Sequence, residues 1–451
     1  MDVSLLSSLT LGLQMGLTTA SPMPATVVAL DAQSQFDVAH YTRQIEADGG
    51  WWLELDDRLL VAAPPTRLPD LLDGRKVLDD LGWIRPDDLA LQARGCPIHP
   101  GIPLPEIARA GRYTLVRAPA TLLPYQLPEL SEWRPVVPNQ RIAQHWRDRG
   151  MLDLAKRAAD PDVQARVDAI DRERWFGVLE HLATYDRSSR RSDIANARDW
   201  LLGKFGALGL QTSTHPFAMS GSVAVPQVNV IGTLVGTTLP DEWIIVGAHY
   251  DSIQINGSNG AAAPGAEDNA SGCAAVVEMA EVFTRFPPQR TMIFTCFSGE
   301  EQGLIGSTRW VEDALRPAGH LPKIKLALIM DMIGYSADSQ LDVLLETSGA
   351  LSSVFTPFQG AVADYAPELV PHTSTLPFGS DHMPFINRSV PSLLVIEFDY
   401  DDYPGYHRTD DVPDMISNAR DMGGGVLKMN VAVLTEAAGF DAIGVFDDGF
   451  E

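Results

Sequence analysis

Two histidines and several carboxylates stand next to apolar or amphipathic runs, at positions where their side chains could bind metal ions. These residues are His249, Asp251, Asp268, Glu300, Glu301, Asp331 and His407. Grouping so many carboxylates costs electrostatic free energy unless a cation lies among them. Mixed imidazole and carboxylate ligands suit Zn²⁺, whereas Ca²⁺ and Mg²⁺ prefer oxygen ligands. Because a catalytic zinc ion typically takes about three protein ligands and a water, the set predicts two zinc ions that share one carboxylate.

Taken singly, each of these residues has a simpler interpretation. A histidine after a strand is more often a hydrogen-bonded surface residue than a ligand. Asp268, which precedes Asn269 and Ser271, could cap a helix. Glu300 and Glu301 could be solvated residues of a first helical turn, where the helix dipole favours acids. The metal-site hypothesis therefore depends on whether the fold brings these residues together.

From about Arg166 onward, apolar runs of strand length alternate with helical stretches. The runs are Trp243–Val246, Thr291–Phe297, Leu326–Met330 and Ser392–Phe398. The segment Ser271–Phe286 has small and apolar residues at helical spacing, which predicts a helix. This alternation predicts an α/β fold with a mainly parallel mixed sheet and helices on both faces. Ligands bind beyond the carboxyl ends of the strands in such sheets, where the candidate residues stand.

The first third of the chain is different, with many prolines, tryptophans and short apolar runs. Residues 60–69 match residues 115–124 at seven of ten positions. We expect a smaller α+β accessory domain over residues 26–140. The match predicts that this domain contains a duplicated unit, with chance similarity as the alternative. Proline breaks each copy, which is typical of edge or terminal strands. We expect a helical linker over residues 141–165 and a catalytic domain over residues 166–451.

Residues 1–25 resemble a signal or leader segment. Leu5–Leu17 is mildly apolar and is followed by the small residues Thr18–Ser21. The positive charge that normally opens a signal peptide is missing, because no lysine or arginine precedes Arg43. We expect a secreted or periplasmic protein, with a cytoplasmic location as the alternative.

Composition excludes several functional classes. The 59 acidic and 34 basic side chains give a net charge of −25, which opposes binding to nucleic acid or anionic lipid. No apolar run reaches the roughly 18–20 residues of a membrane span, and three cysteines cannot form a disulfide framework. The sequence has no HExxH, no GxSxG, no Walker loop and no GxGxxG that opens a strand-to-helix unit.

The motifs resemble those of metallopeptidase family 28, the co-catalytic zinc exopeptidases. The resemblance extends from about Arg166 to the C-terminus, with six motifs in the family's order. They are Gly247–Ser252, Ala266–Gly272, Ser298–Leu304, Asp331–Gly334, Gly379–His382 and His407–Asp411. The resemblance implies the zinc-exopeptidase fold and a peptide substrate with a free N-terminus.

The resemblance implies a metal-binding role for five residues. Asp268 would bridge both zinc ions. His249 and Asp331 would complete the shell of one ion, and Glu301 and His407 that of the other. The family also has a cis peptide bond directly after the bridging aspartate, which here predicts a cis bond from Asp268 to the next residue.

It further implies roles around the metals. Glu300 would be the general base that takes a proton from the bridging water. Asp251 would orient a ligand imidazole, and Tyr406 would donate a hydrogen bond to the substrate carbonyl. Ser380 is expected to contact the substrate, and His382 to be structural. We interpret the other histidines as ordinary surface or core residues: His40, His99, His145, His181, His215, His320 and His372.

Within the family, the residues favour an aminopeptidase. The His382 position is a tyrosine in the glutamate-carboxypeptidase branch. One departure is that Leu376-Pro377-Phe378 lacks a tyrosine that some relatives have before the Ser-Asp-His motif. The alternatives are a carboxypeptidase, a glutaminyl cyclase with a single zinc, and an inactive binding module. The last alternative conflicts with the complete set of implied ligands.

Overall fold

A computed structural model describes residues 21–30, 37–93, 104–118, 133–145, 159–220, 225–258, 260–416 and 418–440. The described residues of its N-terminal part form two α-helices and nine strands. The helices are α1 (Val38–Ala47) and α2 (Leu68–Leu72). The strands are β1 (Met23–Ala29), β2 (Trp51–Leu55), β3 (Arg58–Ala62), β4 (Val77–Ile84), β5 (Leu89–Ala93), β6 (Glu106–Ala110), β7 (Tyr113–Arg117), β8 (Trp133–Pro135) and β9 (Gln140–His145).

The C-terminal part alternates strands with helices. Its strands are β10 (Gln211–Phe217), β11 (Gln227–Leu234), β12 (Leu239–His249), β13 (Arg290–Phe297), β14 (Ile324–Met330), β15 (Leu341–Glu346), β16 (Leu369–Ser374) and β17 (Ser392–Glu397). Its helices are α3 (Pro161–Asp168), α4 (Arg172–Leu182), α5 (Ile194–Ala207), α6 (Gly272–Arg285), α7 (Ile305–Arg309), α8 (Phe355–Tyr365), α9 (Met383–Ile386) and α10 (Ala419–Ala438). The four predicted strands and the predicted helix α6 are confirmed. No helix among the described residues is long and apolar enough to cross a membrane.

The strands form one sheet of thirteen strands and one of four. The large sheet has the order β10-β11-β13-β12-β14-β17-β15-β16-β9-β2-β3-β1-β4, and the small sheet has the order β6-β7-β5-β8. The central strands β13, β12, β14 and β17 run parallel. These strands are almost entirely buried apart from the first five residues of β12, which is typical of a sheet with both faces covered. The predicted mixed α/β fold is therefore confirmed.

The predicted helical linker is wrong at its start, because Gln140–His145 is strand β9. Strand β9 pairs with β2 on one side and with β16 on the other. Its backbone is thus bonded to distant segments, and such tertiary pairing overrides a polar composition that favours helix. Residues 146–158 of the linker lie outside the described residues. Strand β9 makes the N-terminal strands a continuation of the large sheet.

Two other predictions about the N-terminal part need correction. The leader boundary at residue 25 is wrong because β1 begins at Met23 and lies between β3 and β4; residues 1–20 lie outside the described residues. The matching segments are not edge strands, because β3 lies between β2 and β1 and β7 lies between β6 and β5. In the first copy the prolines follow the strand, and those of the second copy lie outside the described residues.

The core of the C-terminal part contains a close contact between Trp175 and Gly423. Trp175 is fully buried on α4, and a Cβ atom at Gly423 of α10 would lie 2.3 Å from its ring. We expect Gly423→Ala to lower the free energy of unfolding by about 1–3 kcal/mol, since overpacking displaces buried groups. Urea unfolding would measure the change.

Gly360→Ala on α8 is the matched control, since its Cβ would meet no atom within 4 Å. At this position, alanine should raise the free energy of unfolding by about 0.5–1 kcal/mol, because glycine is a poorer residue for a helix interior. A Gly423→Ala variant at least as stable as the wild type would contradict this packing.

His372 joins the two parts of the chain rather than being an ordinary core histidine. Its Nδ1 lies 2.8 Å from Asp56 Oδ1, and its Nε2 lies 2.8 Å from Asp342 Oδ1. Burial lowers the pKa of His372, but hydrogen bonds to Asp342 and Asp56 outweigh that effect and raise the pKa to about 9. The ion pairs therefore stabilise the fold while the imidazole is protonated.

This pKa shift predicts a pH-dependent stability. Because the pKa of His372 is higher in the folded chain than the roughly 6.5 of a free imidazole, its contribution is complete below about pH 6.5. It is lost as the pH rises towards about 9. In the wild type, we expect the free energy of unfolding to fall by about 3 kcal/mol across that range. His372→Gln should abolish this fall. Urea unfolding at several pH values tests this. His320→Gln, at a histidine that packs edge-on against Trp243, should retain the fall.

Candidate metal centre

The candidate ligands meet at the carboxyl edge of the parallel strands. His249 is the last residue of β12, Asp331 follows β14 directly, and Glu301 lies four residues beyond the end of β13. Asp268 lies in the turn Ala266–Ser271 before α6, and His407 lies in the segment after β17. Parallel strands place their carboxyl ends at one edge, which is why the sequence pattern could locate this site.

Asp268 lies between two groups of side chains. Its Oδ1 is 3.3 Å from His249 Nε2, and the same nitrogen is 3.2 Å from Asp331 Oδ1. Its Oδ2 is 2.9 Å from His407 Nε2, and that nitrogen is 3.4 Å from Glu301 Oε2. Each oxygen of Asp268 thus faces one histidine, and each histidine faces one further carboxylate.

Several buried ligand atoms have no hydrogen-bond partner among the described residues. They are Oδ2 of Asp268, both carboxylate oxygens of Glu301 and Nε2 of His407. All three side chains are almost completely buried, and leaving such groups unsatisfied costs about 1–3 kcal/mol each. The 2.9 Å contact between His407 and Asp268 lacks the alignment of a hydrogen bond. Buried ligand atoms that converge without hydrogen-bond partners fit a metal ion.

His249, Asp268 and Glu301 each offer one potential ligand atom to a cation. These atoms all lie within 4.8 Å of one another. The nitrogen and carboxylate donors are of the types that zinc prefers. The described residues therefore fit a zinc site.

The electrostatics of the cluster also favour a cation. Burial raises the pKa of Glu301 well above its usual range, and the neighbouring Asp268 and Glu300 raise it further. Burial opposes the ionisation of Asp268 too, but the close imidazoles of His249 and His407 hold its pKa below the usual range. A cation would stabilise all these carboxylates in their charged forms.

Asp251 connects the two sides of the site. Its carboxylate accepts hydrogen bonds from the backbone N–H groups of Glu300 at 3.2 Å and Glu301 at 3.3 Å. Nδ1 of His249 lies 3.1 Å from the backbone carbonyl oxygen of Asp251. Asp251 is fully buried, and burial raises its pKa. This residue therefore holds the turn that carries both glutamates and contacts the imidazole of His249, and its orienting role stays a prediction.

Glu300 and Tyr406 lie beside the ligands without being among them. Burial raises the pKa of Glu300 well above its usual range; His249 lowers it, and Asp331 adds to the increase. The ring of Tyr406 stacks on His407, with centroids 4.0 Å apart, and contacts Tyr400 edge-on. Tyr406 is half-buried, unlike the candidate ligands, which are all buried.

Ser380, expected to contact substrate, is fully buried and donates a hydrogen bond to Asp331 Oδ2 at 2.7 Å. This contact orients a candidate ligand, and a contact with substrate stays a prediction. His382 is also fully buried, with Nε2 3.2 Å from Glu346 Oε1. Its surroundings agree with the structural role expected for it.

Sequence reasoning assigned no role to Asn269 and Asp411, although both lie inside the quoted motifs. Asn269 Nδ2 donates to the carbonyl of Met330 at 3.0 Å, and the bond from Asp268 to Asn269 is cis, as predicted. Asp411 accepts hydrogen bonds from the backbone N–H groups of Glu267 and Asp268. Burial raises the pKa of Asp411 to about 6. These two side chains hold the turn that presents Asp268, and only their nearness to ligands in sequence could have signalled it.

A protein-family model matches the part of the chain that contains this site. A sequence model described as peptidase family M28 matches residues 229–423, a segment that includes every candidate ligand. A probable zinc metalloprotease of Pyrenophora teres f. teres is 30% identical over 203 residues, which cover 41% of this chain and 43% of that protein. A probable aminopeptidase of Saccharomyces cerevisiae is 30% identical over 208 residues, 43% of this chain and 53% of that protein. The chain spans about half or less of the length of these relatives.

Solved structures share the fold at lower identity. The LapA aminopeptidase of Legionella pneumophila is 19% identical with a TM-score of 0.53, covering 78% of this chain and 99% of its own. A glutaminyl cyclase of Macrostomum lignano is 18% identical with a TM-score of 0.54, covering 64% of this chain and 96% of its own. Since an aminopeptidase and a cyclase match equally well, this likeness identifies the fold alone.

Proposed function

We propose, from the match of residues 229–423 to the model of peptidase family M28, that this chain is a zinc-dependent aminopeptidase. It would hydrolyse the peptide bond after the N-terminal residue of a peptide, with two zinc ions bridged by Asp268. One observation carries the proposal. The two oxygens of Asp268 face different histidines, His249 at 3.3 Å and His407 at 2.9 Å, and each histidine has its own second carboxylate.

His249 and Asp331 would hold one zinc ion, and His407 and Glu301 the other, with Asp268 common to both. When bound, a zinc pair supplies a water of lowered pKa and polarises the scissile carbonyl. Asp251, Asp411 and Ser380 keep these ligands in place through the hydrogen bonds described above. A site held by such neighbours keeps its geometry without reorganising during the reaction.

Glu300 would move the proton. Its backbone N–H is bonded to Asp251, so the main chain of the turn is fixed while the neighbouring Glu301 serves as a ligand. Burial raises the pKa of Glu300 well above its usual range, which makes its carboxylate a stronger base. Glu300 would accept a proton from the attacking water and deliver it to the leaving amine.

Tyr406 would stabilise the oxyanion that forms on the scissile carbonyl. We expect Tyr406→Phe to lower kcat by about 100-fold, the usual cost of losing one oxyanion donor, and to leave KM within a few-fold. Steady-state kinetics on an aminoacyl nitroanilide would measure both. Tyr335→Phe is a control, since that ring packs on Tyr403 instead and should leave kcat unchanged. An effect of Tyr406→Phe confined to KM would argue against an oxyanion contact.

The choice of an aminopeptidase over its relatives is supported by His382 in the Ser-Asp-His motif and by the probable aminopeptidase among the relatives. A panel of substrates tests it. Aminoacyl nitroanilides should be cleaved, whereas N-acetylated nitroanilides and peptides with a blocked N-terminus should not. A metal chelator should abolish the cleavage, and zinc should restore it.

The same panel separates the rivals. Release of C-terminal residues from N-blocked peptides would indicate a carboxypeptidase. Loss of ammonia from peptides with N-terminal glutamine, together with a single bound zinc, would indicate a cyclase. A chain that binds zinc and processes none of these substrates would support a binding module and refute the proposed activity.

A further inference from the structure

The hairpin of β6 and β7 inserts its tip into the C-terminal part of the chain. Ala110 pairs with Tyr113, so Gly111 and Arg112 form the turn between the strands. Hairpin turns normally lie on the surface, yet both residues are buried here. Gly111 has a φ of +50°, and a Cβ atom there would lie 2.8 Å from the ring of Phe398. Only glycine allows this close approach.

The inserted tip brings a charged side chain into the interior. Arg112 is 2% exposed, and its guanidinium lies 3.1 Å from the carboxylate of the fully buried Glu346. The guanidinium also stacks over the ring of Phe378 at 4.0 Å. Tyr113 donates a hydrogen bond to the other carboxylate oxygen of Glu346. An ion pair this deeply buried is costly to form, so its presence calls for a reason beyond stability.

These N-terminal residues bind the segment 376–380 mainly through its backbone. Arg112 donates to the carbonyl of Gly379 at 3.0 Å. Arg134 donates to the carbonyls of Leu376 at 3.3 Å and Pro377 at 2.9 Å. Glu346, paired with Arg112, accepts a hydrogen bond from the backbone N–H of Phe378.

The last residue of that segment, Ser380, contacts the candidate metal centre. Ser380 directly follows Gly379, and its hydroxyl donates to Asp331 Oδ2 at 2.7 Å. Asp331 in turn faces His249 at 3.2 Å. A continuous chain of contacts therefore leads from Arg112 through Gly379 and Ser380 to a candidate zinc ligand.

We propose that Arg112 is a positioning residue, through which the N-terminal domain holds Ser380 and Asp331 in the geometry that binds zinc. The domain is then a permanent part of the metal site rather than a detachable propeptide. The continuity of the large sheet through β9 agrees with this role. The inference rests on the proposed zinc site, and a zinc-binding measurement tests it separately from catalysis.

The experiment compares Arg112→Met with Arg109→Ala in the full-length chain. Methionine keeps an apolar stem over Phe378 but cannot donate to Gly379. Arg109 lies on the same hairpin, but its ion pairs are with Glu106 at 3.1 Å and Asp401 at 2.8 Å. The zinc Kd is measured by competition with a chromophoric chelator, and kcat and KM with an aminoacyl nitroanilide.

We expect Arg112→Met to raise the zinc Kd at least about 10-fold, as loss of an orienting neighbour does in other zinc sites. The weakening should concern mainly the zinc equivalent held by His249 and Asp331. We expect kcat to fall similarly, with KM little changed. Arg109→Ala should change the zinc Kd, kcat and KM by less than about 2-fold from the wild-type values. Arg112→Lys, which keeps the charge but not the forked guanidinium, should recover part of the loss.

Because Arg112→Met leaves Glu346 without its cation, it could fail to fold, and two further variants then decide. Arg134→Ala removes the hydrogen bonds to Leu376 and Pro377 without stranding a buried charge, and should weaken zinc binding in the same direction. Arg112→Met combined with Glu346→Gln removes both charges and should weaken zinc binding as well. If these variants fold and bind zinc as tightly as Arg109→Ala does, the inference is overturned. A wild-type chain that binds zinc but cleaves no substrate would refute the proposed function instead.

Discussion

Glu300→Gln is expected to bind zinc as the wild type does and to lose hydrolysis by about 10³-fold or more. The amide keeps the size and burial of the carboxylate but cannot accept the proton of the attacking water. General base catalysis typically contributes about 10²- to 10⁴-fold, and the same group would also protonate the leaving amine. The hydrogen bond from the backbone N–H of Glu300 to the carboxylate of Asp251 does not involve the side chain of Glu300. The neighbouring candidate ligand Glu301 should therefore keep its position.

Metal analysis after gel filtration and the kcat for an aminoacyl nitroanilide would test this expectation together. Glu180→Gln makes the same chemical change at an exposed position on α4 and should leave both values unchanged. If Glu300→Gln retained normal turnover, Glu300 could not be the general base. If it lost zinc and activity together, Glu300 would be acting as a ligand.

Asp268→Ala should have the largest effect on the metals, because it removes a ligand from both sites at once. Each remaining site would then have only one histidine and one carboxylate, short of the roughly three protein ligands usual for catalytic zinc. We expect both zinc ions to be lost on gel filtration and hydrolysis to fall to background. Asp268→Asn, which keeps one carbonyl oxygen but no charge, should bind zinc more weakly than the wild type.

Asp313→Ala is a control for Asp268→Ala, since that carboxylate pairs with Arg309 on the surface. It should keep the full zinc content. A chain with Asp268→Ala that still binds two zinc ions would contradict the bridging role. A chain that keeps one would show that the two histidines bind metal independently.

The sequence was most informative where its chemistry is local. Apolar runs located the central strands because each run is buried on both faces, and His249, Glu301 and Asp331, which lie within four residues after three of those runs, converge on Asp268. The parallel arrangement explains this success, since it places consecutive strand ends at one edge. Motif order then indicated a zinc peptidase, which the excess of acidic residues alone could not do.

The features that sequence reasoning missed depend on residues far apart in the chain. His372 and Asp56 are separated by 316 positions, and Arg112 and Glu346 by 234. Neither pair has a local signature, because a buried ion pair is recognisable only when both partners are in place. Strand β9 was likewise hidden, since its pairing with β2 and β16, rather than its own composition, makes it a strand.

The most direct test of the central claim is a zinc titration of the metal-free, full-length chain, with bound zinc and hydrolysis of an aminoacyl nitroanilide measured at each step. We predict saturation at two zinc ions per chain, with hydrolysis of the free-amine substrate and none of its N-acetylated form. Saturation at a single zinc ion, or cleavage of the blocked substrate, would contradict a two-zinc aminopeptidase bridged by Asp268.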